Sequence, residues 1–233
     1  SIAVFGFPGS GKSFGVTEVA KSVAPGLVEK MEFNVSQFGS VSDLADAFHK
    51  VRDRALEGKI PLVFFDEFDS AFEGANLGWL KYFLAPMQDG AFKDGEATHP
   101  IGKSIFVFAG GTSSSFQSFC GDNLQNDKAE QFTVNFKGAK GPDFVSRLRG
   151  YVNILGPNPV KDNDWAFIIR RAMLLRSMLT RKAKQLVDHH GYVRIDKGVL
   201  RAMLKVPFYK HGARSIEAVI DMSTLNGQNC WEQ

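Results

Sequence analysis

Near its start the chain carries small and charged residues at a spacing suited to binding phosphate groups. The run follows the pattern G-x-x-x-x-G-K-S and reads Gly6-Phe7-Pro8-Gly9-Ser10-Gly11-Lys12-Ser13. Glycines lack a Cβ, so backbone N–H groups can approach phosphate oxygens, and a lysine adds a mobile positive charge for the β- and γ-phosphates. The hydroxyl of Ser13 is a suitable Mg²⁺ ligand. The pattern therefore predicts a phosphate-binding loop (P-loop) for a nucleoside triphosphate.

The residues around this loop favour the same interpretation. Ser1 to Phe5 reads as a short buried strand and Phe14 to Ala24 as a helix, so the loop lies between a strand and a helix, as a P-loop must. The positive end of that helix would point at the phosphates. The alternative is an ordinary glycine-rich turn. The expected nucleotide contacts come from Pro8, Gly9, Ser10, Gly11, Lys12, Ser13 and Phe14.

A second group of reactive residues follows the apolar run Pro61 to Phe65, which ends in the adjacent carboxylates Asp66 and Glu67. Two carboxylates at the end of a buried strand are costly unless they meet a cation, and the P-loop predicts Mg²⁺ as that cation. We expect Ser13 and Asp66 to hold the metal, Asp66 through water. Glu67 would polarise the water that attacks the γ-phosphate. Asp69 is expected to support the pair only indirectly.

Strands alternate with helices through the first two thirds of the chain. The predicted strands are 1–5, 28–35, 61–65, 103–109 and 151–155, and the main predicted helices are 14–24, 41–56 and 78–87. Asp-Gly pairs at 89–90 and 94–95 predict a small hairpin or ordered loop, and the polar stretch 121–141 is expected to be a long connection. The alternation predicts an α/β fold: a parallel five-stranded sheet flanked by helices, with its ligand at the carboxyl ends of the strands.

The pattern changes at Gly156-Pro157-Asn158-Pro159, after which only helices are predicted. These helices run from Asp164 to about His190, from Asp196 to about Leu204, and from Ala213 to Leu225. We therefore expect an α/β core over residues 1–156, a small all-helical lid over 157–225, and a frayed tail over 226–233.

Composition narrows the class of protein. The net charge of +3 on 233 residues is too small to argue for nucleic acid by itself. No apolar run reaches the length needed to cross a bilayer, so no membrane partner is expected. Cys120 and Cys230 lie far apart, which favours free thiols in a reducing, cytoplasmic compartment. We also expect the sequence to be a segment of a longer protein.

With these motifs in place, the chain resembles an AAA+ ATPase module, and its motif pattern is most similar to the Clp/HslU group. The P-loop looks like Walker A, and the strand ending at Glu67 looks like Walker B. Three further segments are similar to the pre-sensor-1, arginine-finger and sensor-2 segments of that group; in order they are 84–95, 142–148 and 212–214. The resemblance implies a sheet order of 5-1-4-3-2.

The resemblance also assigns roles. It implies that Thr112, or alternatively Ser113, orients the attacking water, although a Ser/Thr loop that caps the next helix is the competing explanation. Arg214 would reach from the lid to the γ-phosphate; the alternative is a surface arginine. Arg147, with Arg149 as its rival, would be the finger that completes a neighbouring subunit's site. A finger in trans requires self-assembly, and the resemblance implies a homo-oligomeric, hexamer-like ring.

The expected function is binding and Mg²⁺-dependent hydrolysis of ATP, driving the remodelling of a macromolecular client, with protein favoured over DNA. Two alternatives stay open. One is a slow, nucleotide-gated binding module, such as a loader or adaptor. The other is a small-molecule kinase built on a P-loop, which the second carboxylate, Glu67, disfavours because it suits water as the nucleophile.

Overall fold

The computed structural model describes residues 1–7, 9–122, 124–125 and 127–232. The strands are β1 (Ile2–Phe5), β2 (Val28–Asn34), β3 (Ile60–Asp66), β4 (Ala91–Asp94), β5 (Ala97–Pro100), β6 (Ile105–Ala109) and β7 (Tyr151–Asn153). The helices are α1 (Lys12–Val23), α2 (Val41–Leu56), α3 (Leu80–Asp89), α4 (Phe116–Cys120), α5 (Asp127–Gly138), α6 (Gly141–Ser146), α7 (Phe167–Lys182), α8 (Lys197–Lys205) and α9 (Ala213–Met222).

Two compact units make up the chain: Ser1–Gly6 with Lys12–Ile154, and Phe7–Gly11 with Leu155–Gln233. The second unit begins two residues before the lid predicted at 157, and it also includes the P-loop residues Phe7–Gly11, which the sequence analysis placed in the core. No helix in the described ranges combines the length and the apolar character needed to span a membrane.

The first unit is built on a parallel sheet. Within the described residues the sheet has five strands in the order β2-β3-β6-β1-β7, which confirms the predicted order 5-1-4-3-2 when the strands are counted along the chain. The register pairs Asp66 of β3 with Ala109 of β6, and Ala109 with Val4 of β1. The carboxyl ends of these three strands therefore lie side by side, at the edge where α/β sheets bind their ligands.

A phenylalanine-rich core holds the sheet against its helices. Phe65 of β3 lies 5.7 Å from Phe48 of α2 and 4.9 Å from Phe83 of α3, measured between ring centroids. Phe108 of β6 contacts Phe144 of α6 at 4.9 Å. Each fully buried phenylalanine contributes roughly 1.5–3 kcal/mol, so this cluster fixes the strand from which the acidic pair emerges.

Two connections were predicted from turn signals and polarity. The hairpin is confirmed, because β4 and β5 pair antiparallel with Asp94 opposite Ala97. The long connection at 121–141 is wrong in part, since α5 occupies Asp127–Gly138 and buries Phe136 against Phe119 at 5.4 Å. Two aromatic side chains one helical turn apart, Phe132 and Phe136, were the signal that the polar composition concealed.

The second unit is mainly helical, as predicted, with two differences. Its first helix, α7, ends at Lys182 instead of near His190, and a short 3-10 turn follows at Lys184–Leu186. The tail is not frayed: Trp231 is only 6% exposed and forms an isolated parallel bridge with Ile195. A large aromatic residue near the end of a chain gains more by burial than the last residues lose in entropy.

Candidate functional site

In the first unit, α1 begins at the P-loop lysine. The Lys12 ammonium donates a hydrogen bond of 2.8 Å to the carbonyl of Gly6. The hydroxyl of Thr17 donates to the Ser13 carbonyl at 2.7 Å, which adds a side-chain bond to the first turn of the helix. Phe14, the residue after Ser13, is half-buried. Lys12 and Ser13 thus occupy the positive end of α1, where an anion is favoured.

Asp66 ends β3 beside Glu32 of β2 and within electrostatic reach of Lys12. Burial, and then the neighbouring Glu32 carboxyl, raise the pKa of Asp66 to about 7, against the opposing effect of Lys12 and Lys30. Burial alone would raise the pKa of Glu32, but its hydrogen bonds with Lys30, at 2.6 Å, and with Asp66 lower it. Burial and the Glu32 carboxyl thus favour the uncharged form of Asp66, whereas Lys30 favours the ionised form of Glu32.

Glu67 directly follows β3 in an unusual conformation. Its φ is 54°, in the left-handed region that non-glycine residues rarely adopt, and its N–H donates to the carbonyl of Ala109 at 2.9 Å. Its side chain packs on Gly111, where an added Cβ would lie 2.6 Å from Glu67 Cγ. Backbone strain of this kind clusters at functional sites. Only a glycine at position 111 leaves room for the Cβ and Cγ atoms of Glu67.

The loop after β6 is organised by Asp69, which is 3% exposed. Its carboxylate accepts hydrogen bonds from the N–H groups of Gly111, Thr112 and Ser113, and from the Thr112 hydroxyl at 2.6 Å. From the sequence, Asp69 was expected to support the acidic pair only indirectly. Two features of the sequence could have indicated that Asp69 organises this loop. It is an acid that closely follows the Asp66-Glu67 pair, and a Gly-Gly-Thr-Ser loop follows the neighbouring strand.

The finger candidate Arg147 lies at the end of α6. Its Nε and Nη2 atoms donate to Gln88 Oε1 of α3 at 3.0 and 2.6 Å, and Nη1 donates to the Asp143 carbonyl at 2.7 Å. These contacts hold the guanidinium within its own chain. The rival, Arg149, is exposed.

In the second unit, the P-loop glycines have left-handed backbone conformations, with φ of 75° at Gly9 and 87° at Gly11. The Gly9 carbonyl accepts a 2.7 Å hydrogen bond from Ala213 at the start of α9, and a Cβ on Gly9 would lie 2.4 Å from the His211 carbonyl oxygen. Ser10 is 4% exposed. Pro8 lies outside the described residues.

Arg214 follows Ala213 in the first turn of α9 and is exposed. Because Ala213 bonds Gly9 directly, the second unit brings the predicted sensor-2 arginine to the same part of the chain as the P-loop glycines. This proximity was expected only from the family resemblance, since nothing in the spacing of residues 9 and 214 predicts it.

Each of the two units, taken by itself, offers groups that suit a magnesium nucleotide. The buried hydroxyl oxygen of Ser10 has no hydrogen-bond partner among the described residues, so it has capacity for a phosphate oxygen. The Ser13 hydroxyl and the Asp66 carboxylate are hard oxygen donors of the kind that Mg²⁺ prefers. A bound cation would also favour the ionised form of Asp66, which burial alone opposes.

A parallel α/β sheet with a P-loop after its first strand and an acidic pair after its third defines a P-loop nucleotide-binding protein. Residues 2–111 match the model of the family described as "ATPase family associated with various cellular activities (AAA)". These residues include the Walker A and Walker B segments and the glycine pair after β6. Over these residues, just under half of the chain, the sequence is therefore similar to the AAA family, which agrees with the resemblance seen in its motifs.

Solved structures share this fold. A Saccharomyces cerevisiae Hsp104:casein complex in an extended conformation aligns with a TM-score of 0.62 at 14% identity, over 97% of this chain and 40% of that one. A closed-state Hsp104 with ATPγS and FITC-casein gives 0.59 at 15% identity, over 97% and 40%. NtrX from Brucella abortus with ATP gives 0.54 at 10% identity, over 93% and 43%.

The chain thus spans about two fifths of the length of these proteins, and identities this low speak for the fold alone. The search of curated proteins returned no match.

Proposed function

We propose that this module binds ATP with Mg²⁺ and hydrolyses it to ADP and phosphate. The observation that carries the proposal is the placement of Lys12 at the start of α1 within electrostatic reach of Asp66 at the end of β3, with Glu67 next to it. A phosphate-binding cation, a metal-binding carboxylate and a second carboxylate on one sheet edge are the groups that phosphoryl transfer to water requires.

Each residue then has a distinct task. Lys12 and the backbone of Gly9 and Gly11 would bind the phosphates. Ser13 and, through water, Asp66 would hold Mg²⁺, which would supply positive charge beside the phosphate oxygens. Glu67 orients and polarises the attacking water. Its left-handed backbone and its packing on Gly111 support this role, because they fix the carboxylate independently of the nucleotide.

The role of Thr112 is narrower than the resemblance implied. Its hydroxyl proton is already donated to Asp69, so in this arrangement the oxygen can only accept a hydrogen bond. Thr112 would therefore orient a water by accepting one of its protons. Ser113 is the alternative residue for this task, and its backbone N–H is likewise bonded to Asp69.

Arg214 and Arg147 are proposed to contact the nucleotide as the lid and neighbouring-subunit arginines. The bond between Ala213 and Gly9 supports the first assignment. To act in trans, Arg147 must break its hydrogen bonds with Gln88. In a ring-shaped homo-oligomer, its guanidinium would then contact the nucleotide of the neighbouring subunit. A protein client is favoured because casein is present in the Hsp104 complexes that share the fold.

The ATPase proposal is tested by Lys12→Ala and Glu67→Gln, with Lys21→Ala on the exposed end of α1 as the matched control. Binding of a fluorescent ATP analogue and phosphate release are measured for each. We expect Lys12→Ala to lose binding, and Glu67→Gln to keep binding while turnover falls at least about 100-fold. Hydrolysis that survives in both variants would contradict the proposal.

The same data separate the alternatives. A nucleotide-gated binding module would bind ATP tightly, turn over slowly in the unmodified protein, and show no further loss in Glu67→Gln. A small-molecule kinase would transfer the γ-phosphoryl group to an added acceptor and would release little inorganic phosphate. Self-assembly is measured by sedimentation with and without ATPγS, and mixing Arg147→Ala with Lys12→Ala chains should restore hydrolysis in part if the finger acts in trans.

A further inference from the structure

Away from the nucleotide site, the hairpin β4–β5 and helix α2 bring two histidines and an aspartate together. One ligand atom from each of His49, Asp94 and His99 lies within 4.8 Å of the other two. His49 Nε2 is 3.0 Å from Asp94 Oδ2, and the two imidazole centroids are 4.9 Å apart. None of these residues belongs to the predicted ATPase machinery.

The fold holds the two imidazoles against a buried aromatic ring. Phe92 of β4 is 4% exposed; its ring meets His49 edge-on at 4.8 Å and lies 5.4 Å from His99. His49 and His99 are half-buried, whereas Asp94 is exposed on the last residue of β4. Two ligands are thus positioned by packing against Phe92, while the third is accessible to solvent at the end of β4.

The donor set selects a class of metal. Two imidazoles and one carboxylate suit Zn²⁺ and related ions such as Co²⁺ and Ni²⁺, whereas Mg²⁺ and Ca²⁺ prefer oxygen donors throughout. Bonds of about 2.0–2.2 Å place the ligand atoms of such an ion about 3–4 Å apart. The present spread, within 4.8 Å, therefore requires only a small closure of the hairpin towards α2.

Arg52, one turn after His49, modulates this cluster. Its Nη1 lies 3.3 Å from His99 Nδ1. Because a guanidinium can only donate, Nδ1 must accept, and the His99 ring is then neutral, which is the form that binds metals. The positive charge of Arg52 repels an incoming cation. Its hydrogen bond also occupies the lone pair of His99 Nδ1. Metal binding through Nδ1 would displace Arg52.

We propose that His49, Asp94 and His99 form a binding site for a divalent transition-metal ion of the zinc class, which joins the β4–β5 hairpin to α2. Three protein ligands leave at least one coordination position for water. The ion stabilises the folded chain by an amount that grows with the logarithm of its free concentration above Kd, because the three ligands lie at sequence positions 49, 94 and 99 and meet only in the native fold.

The test uses Co²⁺ as a spectroscopic probe on the whole chain, in excess Mg²⁺ so that the Asp66 site does not contribute. The variant His189→Gln/His190→Gln removes the adjacent exposed pair and serves as the control for adventitious histidine binding. We expect one saturable Co²⁺ absorption band, displaced by Zn²⁺ and unchanged in the control. Zn²⁺ should also raise the midpoint of thermal unfolding.

His49→Gln, Asp94→Asn and His99→Gln should each weaken Co²⁺ binding at least about 100-fold, since even groups that only support a ligand change affinity by 10–100-fold. Arg52→Met should tighten binding about 10-fold, because it removes a positive charge beside the bound cation. Circular dichroism of each variant confirms folding. No saturable band, a band that persists in all three ligand variants, or a band lost in the control would overturn the proposal.

Discussion

The hydroxyl of Thr112 donates a hydrogen bond of 2.6 Å to Asp69, a carboxylate that also accepts the backbone N–H groups of Gly111, Thr112 and Ser113 at 2.8, 3.0 and 3.2 Å. Asp69 follows β3 and Thr112 follows β6, two strands that are neighbours in the sheet. One buried side chain therefore determines the conformation of the loop beside Glu67, and the two loops at this edge are tied together.

Asp69→Ala should destabilise the first unit and slow hydrolysis. The substitution leaves three backbone N–H groups and one hydroxyl without their acceptor, so we expect the free energy of unfolding to fall by about 3 kcal/mol. Turnover should fall more than ATP affinity, because the residues that bind phosphate remain. Asp69→Asn, which keeps one carbonyl oxygen as an acceptor, should be intermediate. Urea unfolding measures the first effect, and an unchanged midpoint in Asp69→Ala would show that the bonds are unimportant.

Gly111→Ala should impair hydrolysis by displacing Glu67. The new Cβ would lie 2.6 Å from Glu67 Cγ, a distance that forces the carboxylate's stem to move. A misplaced catalytic group commonly costs about 100-fold in rate, and ATP binding should remain. Gly150→Ala is the matched control, since a Cβ there meets no atom within 4 Å. Equal phosphate release by both variants would argue against a positioning role for Gly111.

Much of the α/β unit was predictable because each signal was local. The run Leu62 to Phe65 is buried on both faces of the sheet, and its uninterrupted apolar sequence reports this directly. Lys12 lies within electrostatic reach of Asp66 because parallel strands place their carboxyl ends together, which the alternation of strands and helices already implies. The strand order itself was predicted only from the family resemblance.

What the sequence did not reveal depends on contacts between distant residues. Asp69 resembles any polar residue after a strand until the fold places the loop at 111–113 against it. Arg171 lies among several basic residues of α7, a composition typical of a solvated or subunit-contacting helix face, yet it is 0% exposed. Its partners are the Pro157, Leu204 and Val206 carbonyls, which no periodicity in α7 could indicate.

Arg171→Met should destabilise the second unit although it replaces a charge by an apolar side chain of similar length. The Arg171 guanidinium donates to the carbonyls of Pro157 at 2.7 Å and Leu204 at 2.8 Å, and it lies 4.9 Å from the Tyr209 ring centroid. Loss of these charge-assisted bonds leaves buried acceptors unsatisfied and should cost about 3 kcal/mol. Arg201→Met on the exposed face of α8 is the control, and thermal unfolding is the measurement. Equal midpoints for the two variants would refute this account of the buried guanidinium.

Asp164→Asn should make the free energy of unfolding of the second unit vary less with pH in the acid range. Hydrogen bonds from Arg170, the closest at 2.6 Å, and from the Val160 N–H lower the pKa of Asp164 from 3.8 to about 2. Because the folded-state pKa is depressed, the ionised carboxylate stabilises the fold fully above the unfolded-state pKa, and this contribution is lost as the pH falls from about 4 to about 2. The unmodified protein should therefore be more stable than Asp164→Asn at pH 7, and the difference should shrink towards zero near pH 2. Urea titrations at a series of pH values measure it, with the exposed neighbour Asp162→Asn as the control; a difference that stays constant down to pH 2 would mean that the carboxylate's charge is not what stabilises this turn.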